Sequence, residues 1–256
     1  PAVLPIGSTV VPFSASDLAG NLGSATATIT VTDQAGPDVT PPEAITVAAD
    51  NADGTPAASE SIAAFLTGAS ASDNVDSSVP VTNNAPATFP LGETVVVFSA
   101  TDAAGNTGNA TARLTVTDQT APSLAVPNGI IVPAANSAGT SATVVPIQEL
   151  LGAATATDNI DEIVTITNDA PSVFPLGTTT VTFTAVDEAG NSVTGTTGVT
   201  VSDLNGPSVT APSNVTIAAL DADGTPASSS SIAIFLQGAT ASDNVDAVVS
   251  VTSDAP

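Results

Sequence analysis

The sequence predicts an all-β protein, a tandem row of small β-sandwich modules that each carry one short helix. Three observations carry the prediction: an 85-residue repeat, alternating apolar and polar runs between frequent turn signals, and one helical pattern per copy. The repeat is plainest in Ser72-Asp73-Asn74-Val75-Asp76, which returns as Thr157-Asp158-Asn159-Ile160-Asp161 and as Ser242-Asp243-Asn244-Val245-Asp246. Phe89-Pro90-Leu91-Gly92 returns as Phe174-Pro175-Leu176-Gly177, and no insertion or deletion breaks the phase. A unit copied along an axis favours span, stiffness and repeated binding over one active site.

Each element has its own signal. Val96, Phe98 and Ala100 alternate with Val95, Val97 and Ser99, and Val181, Phe183 and Ala185 repeat them, so a half-buried strand is expected. It runs into Asp102 and a loop ending in Ala104-Gly105-Asn106, then into a second alternating run through Leu114 and Val116 to Asp118. That is a β-hairpin with a short glycine-containing loop, and its counterparts run from Asp17 to Asp33 and from Asp187 to Asp203. Ile45-Thr46-Val47, its counterpart Val215-Thr216-Ile217, and the segment from Val79 to Thr82 supply further short strands. Pro12 stands where Val97 stands in the next copy, and a proline in a central strand predicts a local bulge there. Ile62, Phe65 and Leu66 have helical spacing and are followed by Gly68, a pattern matched by Ile147, Leu150, Leu151 and Gly152 and by Ile232, Phe235, Leu236 and Gly238. A short amphipathic helix ended by glycine follows, its apolar face turned to the core. Proline stiffens the linkers at 33–37, 118–122 and 203–207. The predicted division is therefore the C-terminal part of one module (1–36), complete modules at 37–121 and 122–206, and the N-terminal part of another (207–256).

Composition narrows the function. Each period is small enough to have a modest core, and with no Cys there is no disulfide to staple it. Arg113 is the single basic residue against 25 acidic ones, for a formal charge of −24, which makes nucleic acid and anionic membranes poor partners. No apolar run approaches the roughly 18 residues of a membrane span, and no basic and apolar leader is visible. Pro1 is not an initiator Met, and Pro1, Pro86, Pro171 and Pro256 share one phase, so a window from a longer polypeptide or a processed subunit is expected. With no His or Cys, the many Ser and Thr hydroxyls have no plausible activating base, and no enzyme is expected.

Thr101-Asp102-Ala103-Ala104-Gly105-Asn106, Asp118 followed by proline, the pair Asp73-Asn74 and the Phe89-Pro90-Leu91-Gly92 turn together resemble the hyalin repeat (HYR) family and bacterial Ig-like tandem repeats. The resemblance spans both complete copies and both halves. It implies immunoglobulin-like extracellular or cell-surface modules serving adhesion or a surface structure, without catalysis. Many family members carry a Cys after the Asp-Asn pair; Val75, Ile160 and Val245 stand there instead, so that disulfide is absent.

In an Ig-like sandwich the loop holding Asp73 and Asp76, the hairpin loop opened by Asp102, and the preceding linker with Asp33 fall at one pole. Four unneutralised carboxylates there call for a cation, since two unit charges ~4 Å apart repel by ~4 kcal/mol at an effective dielectric near 20. An all-oxygen ligand set fits Ca2+ better than magnesium or zinc. The same reasoning selects Asp118, Asp158, Asp161 and Asp187 at the second junction. At the third it selects Asp203, Asp243 and Asp246, with the hairpin Asp lying beyond Pro256 or supplied by Asp17 of another copy. Each Asp could instead cap its own turn. Asp221-Ala222-Asp223-Gly224 resembles part of a calcium loop, but its second-copy counterpart lacks acids, and it reads as a turn.

These readings converge on a calcium-stiffened extracellular stalk or filament whose partners are other copies of itself or further repeats. Residues 207–256 lack the final hairpin and residues 1–33 are that hairpin, so half-domain complementation could join subunits. The competing expectation is an adhesin repeat region that presents loops or a tip to glycan or protein ligands. Seven Phe and no Trp or Tyr leave few platforms for sugar stacking.

Overall fold

Alternation produces the longest strands. In Gly92–Thr101 the side chains of Val96, Phe98 and Ala100 are buried while Val97 and Ser99 stay partly exposed, and Thr107–Thr117 buries Ala112, Leu114 and Val116. The structure, a computed structural model, describes residues 3–255, and the chain divides between Thr120 and Ala121 into two compact units.

In the first unit a four-stranded sheet runs in the order Ile45–Ala48, Thr107–Thr117, Gly92–Thr101, Val81–Asn83. The outer strand Ile45–Ala48 pairs in parallel with Thr107–Thr117 (Ile45 with Leu114), and the other three are antiparallel neighbours, with Val81 opposite Ala100. Two short antiparallel ladders, Asp38–Thr40 with Ser70–Ser72 and Thr55–Pro56 with Thr88–Phe89, complete the framework. Helix Glu60–Thr67 contributes Ile62 and Phe65 to the core, and the Phe65 ring meets Phe98 edge-on with centroids 5.8 Å apart. Such a geometry adds about 0.5–1.5 kcal/mol beyond area burial. The fold is all-β, with only short helices among the described residues.

The second unit repeats the plan with Ile130–Pro133, Ser192–Ser202, Gly177–Val186 and Thr165–Asn168. Its core gathers Val132, Ile147, Leu150, Phe174, Phe183 and Val199. Each such side chain, fully buried, contributes roughly 1.5–3 kcal/mol. No helix among the described residues is long and apolar enough to cross a membrane.

Three local expectations are corrected. Gly68 closes the first helix in right-handed geometry (φ −79°), not the left-handed cap that glycine usually supplies. A Cβ at Gly68 would stand 3.3 Å from Pro42 Cβ, so close packing is what limits side-chain size there. The second helix, Val145–Gly152, runs through its glycine and is capped by Ala153, and the third, Ser230–Leu236, is capped by Gln237. Second, residues 215–217 form no strand: their counterparts at 45–47 and 130–132 each pair with a long hairpin strand, and no described strand lies beside 215–217. Third, Pro12 causes no bulge: Gly7–Ser16 pairs with Leu22–Val31 in unbroken register, Pro12 opposite Thr26. The N–H at the matching positions of later copies points away from the hairpin partner and goes to a side chain, Val97 to Asn84 Oδ1 at 2.8 Å and Thr182 to Asp169 Oδ1 at 2.7 Å. Proline there removes no bond inside the hairpin.

Candidate metal centre

The hairpin aspartates are built into their own turns. Asp102 accepts the Asn106 N–H on Oδ1 (2.7 Å) and the Asn106 side-chain amide on Oδ2 (2.8 Å), and Gly105 takes the positive φ that closes the loop. Asp187 and Asp17 repeat these contacts with Asn191 and Asn21. Asp102 and Asp187 are buried, whereas Asp17 is exposed.

The second group of acids shapes the other loop. Asp73 Oδ1 accepts the N–H groups of Val75 and Asp76 at 2.8 and 2.9 Å, an arrangement copied by Asp158 and Asp243. Those bonds hold the Asp73 and Asp243 carboxyls below the ordinary carboxylate range, the N–H of Asp76 or Asp246 contributing most. In Asp17 the leading cause is the Asn21 side-chain amide. Asp76 Oδ2 reaches across to accept the Ala103 N–H at 2.8 Å, and Asp161 Oδ2 accepts that of Glu188 at the same distance. This bond between loops went unread in the sequence. Its only trace there is the constant interval of 27 residues from Asp76 to Ala103 and from Asp161 to Glu188.

The linker completes the group. Asp33 Oδ1 accepts the Ala35 N–H at 3.2 Å, as Asp118 does for Thr120 and Asp203 for Asn205. In the first unit, Asp33, Asp73, Asp76 and Asp102 each bring a carboxylate oxygen within 4.8 Å of the others, and Asp203, Asp243 and Asp246 do the same in the second unit. Asp161 and Asp187 also approach within 4.8 Å of each other, with Asp158 outside that group. Asp17 stays with its hairpin. Asp221 accepts the Asp223 N–H and closes a tight turn with Gly224, as a turn reading requires.

Oxygens bound to one calcium ion at about 2.4 Å lie no more than about 4.8 Å apart, and the four oxygens around Asp33 meet that limit. Oδ2 of Asp33 and Oδ2 of Asp73 are buried without a hydrogen-bond partner. The chain's one basic side chain, Arg113, is exposed and paired with Glu93. Turn capping and cation binding are thus compatible: a carboxylate has about four lone-pair sites, and the turns use only part of them. A groove of about 650 Å³ beside Asp33 and Asp76 leaves room for the water that fills out a calcium shell.

Fold and acid groups together define a class, a tandem array of immunoglobulin-like β-sandwiches with carboxylates gathered at the edge of a module. The chain belongs to the HYR domain family, which matches residues 37–117 and 117–201. It is 34% identical over 205 residues to hyalin of Lytechinus variegatus and 34% identical over 203 residues to hyalin of Strongylocentrotus purpuratus, 77% of the chain in each case. The chain spans 37% and 16% of the length of those two proteins. Among solved structures, a protocadherin gammaB7 EC3-6 cis-dimer matches 81% of the chain and 61% of its own, at 17% identity and a TM-score of 0.36. The protocadherin gammaB4 extracellular domain matches 81% of the chain and 40% of its own, at 18% identity and a TM-score of 0.34. At those scores the likeness carries no further weight. Family membership and the hyalin relatives make this an extracellular or cell-surface protein.

Proposed function

We propose that the chain is a structural segment of an extracellular filament or stalk, in which HYR modules are held at fixed angles by Ca2+ at their junctions. The modules are those at 37–121 and 122–206, flanked by the module parts 1–36 and 207–256. The observation that carries the reading is the convergence of Asp33, Asp73, Asp76 and Asp102 with no cationic side chain to neutralise them. Asp33 belongs to the linker that follows one hairpin, while the other three belong to loops of the next module. An ion held by all four ties linker to loops and removes the freedom of the joint. Weak affinity suffices, since extracellular modules bind calcium with dissociation constants of about 10⁻⁴ to 10⁻³ M.

Small-angle X-ray scattering in calcium and in chelator, with calorimetric titration of calcium, tests the reading. The expected result is measurable binding together with a larger maximum dimension in calcium. Identical scattering curves with no heat of binding would sink it.

A further inference from the structure

Inside the second unit, the acid-bearing loop around Asp243 and Asp246 also touches the module before it. Asn244 donates its side-chain amide to the Ala134 carbonyl at 2.8 Å, a partly buried bond between residues 110 apart in sequence. The next side chain, Val245, packs against the buried core cluster that holds Val132, Ala134 and Ile147. Two neighbouring residues of one module part therefore reach back into the complete module at 122–206.

Both sides of this contact are fixed by their own bonds. Ala134 is buried, and its N–H donates to the Ser202 carbonyl at 2.8 Å, which pins the end of strand Ile130–Pro133 beside the strand that leads into the linker. Ala135 donates its N–H to Gly139 O and to Thr140 Oγ1, and the Thr140 hydroxyl donates to Pro133 O at 2.8 Å, so the turn after Ala134 is closed. A groove of about 250 Å³ opens beside Ala134 between Val132, Val144 and Pro146, and Asn205 of the linker lines it too. On the other side, Asp243 Oδ1 accepts the N–H groups of Val245 and Asp246 at 2.7 and 3.0 Å, so a closed turn presents Asn244 and Val245. Val248, just past that turn, is 86% exposed, so burial of Val245 is selective.

We infer that the pair Asn244–Val245 is a latch that seats residues 207–255 on the module at 122–206 and sets the angle of that joint without an ion. The inference rests on reading the chain as a structural row of modules, and not on calcium. The two side chains divide the work. Apolar burial holds surfaces together without choosing a direction, whereas a hydrogen bond to a fixed carbonyl chooses one. An amide is required at 244, because a carboxylate there could not donate to Ala134 and would face its carbonyl oxygen with a charge.

The latch also answers a problem that the acids create. Asp203, Asp243 and Asp246 bring carboxylate oxygens within 4.8 Å of one another across this joint, and bare they push linker and loop apart. The contacts of Asn244 and Val245 lie beside those acids in sequence and oppose that push. On the calcium reading, an ion at the three acids stiffens an angle that the latch has already chosen. The repeat keeps the same chemistry in the same turn, an amide followed by a branched aliphatic side chain, at Asn74-Val75 and Asn159-Ile160.

The chain has no cysteine, so engineered thiols carry spin labels at known places. Thr180→Cys and Ser228→Cys, both at exposed positions and one on each side of the joint, report its angle by pulsed electron paramagnetic resonance on the full chain in chelator. The expected result is one narrow distance distribution. Asn244→Ala and Val245→Ser together are expected to abolish that narrow peak while the circular dichroism spectrum stays the same. Val245→Ile keeps the peak, since isoleucine stands at the matching position 160, and Val248→Ser, outside the latch, keeps it as well. A broad distribution in the parent chain overturns the inference even if added calcium narrows it, an outcome that leaves the calcium reading standing. A narrow peak that survives the double substitution, or one lost equally in Val248→Ser, also overturns it. A narrow peak in chelator that the double substitution removes, in a chain that shows no heat of calcium binding, supports the latch and sinks the calcium reading alone.

Discussion

Asp33→Asn separates the two roles of one carboxylate. Oδ1 of Asp33 holds the linker by accepting the Ala35 N–H, a contact an asparagine oxygen makes equally well, while Oδ2 is buried with no partner among Asp73, Asp76 and Asp102. Asparagine places an amide donor there and removes a charge, so in chelator the variant is expected to melt at or above the parent temperature. Calcium reverses the order. With a dissociation constant of about 10⁻³ M and about 10 mM free calcium, binding adds about 1.4 kcal/mol to the parent, or roughly 6–11 °C for a module of this size. A tenfold weaker site in the variant retains about 0.4 kcal/mol, or roughly 2–3 °C. Scanning calorimetry in chelator and in calcium reads both signs. A variant that melts lower than the parent in chelator, yet gains as much from calcium, would refute the assignment of Oδ2 to a cation and leave Asp33 as a turn cap.

Acid should weaken the fold through the loop carboxylates. Asp73 and Asp243 titrate lower in the folded chain than in the unfolded one, so each adds stability above about pH 4 that is lost as pH falls through its folded value. Melting temperatures measured from neutral pH downward should drop below about pH 4, and Asp73→Asn should flatten that drop. Ser59 precedes the first helix but makes no side-chain cap, its hydroxyl is buried without a partner, and Val144 takes its place in the second module. Ser59→Val should therefore be neutral or stabilising in urea denaturation, and a loss of about 1 kcal/mol, the usual worth of an N-cap, would contradict the geometry. Phe98→Ala should cost about 3–5 kcal/mol by urea denaturation because Phe98 is fully buried, whereas Phe13→Ala should cost the dilute chain far less; equal losses would show that the first hairpin is packed.

The parts of the fold that were legible in the sequence depend on local alternation or on the repeat. Val96, Phe98 and Ala100 announce a strand because period two puts them on one face, and the helix shows in the spacing of Ile62, Phe65 and Leu66. What escaped depends on partners distant in sequence. Residues 215–217 have the composition of a strand but no ladder, since a strand exists only where a neighbour accepts its bonds. Pro12 looked disruptive because composition does not say which side of a strand its N–H faces, and the bonds of Val97 and Thr182 supply that direction. Asp33, Asp73, Asp76 and Asp102 lie together where the repeat positions them, whereas Asp158 lies outside the group formed with Asp161 and Asp187. The loop-to-loop bond of Asp76 leaves no such trace, because it joins a carboxylate to a backbone N–H, and any residue but proline at 103 or 188 can donate one.

That bond also bears on how a module this small can keep its edge in order without a disulfide. Asp76 pulls the Ala103 backbone toward its own loop, and Asp73 folds the loop that carries Asp76, so the two acids orient each other's surroundings before any ion arrives. The cost is concentrated negative charge with a partnerless oxygen at Asp33 and another at Asp73. Under the proposed function, a cation recruited to those oxygens would offset the cost only where linker and loops are both present, because Asp33 lies in the linker and Asp73, Asp76 and Asp102 lie in the loops that follow it. On the proposed calcium reading, binding would be coupled to the angle of the joint, and the stiffness of the row would follow the calcium around it.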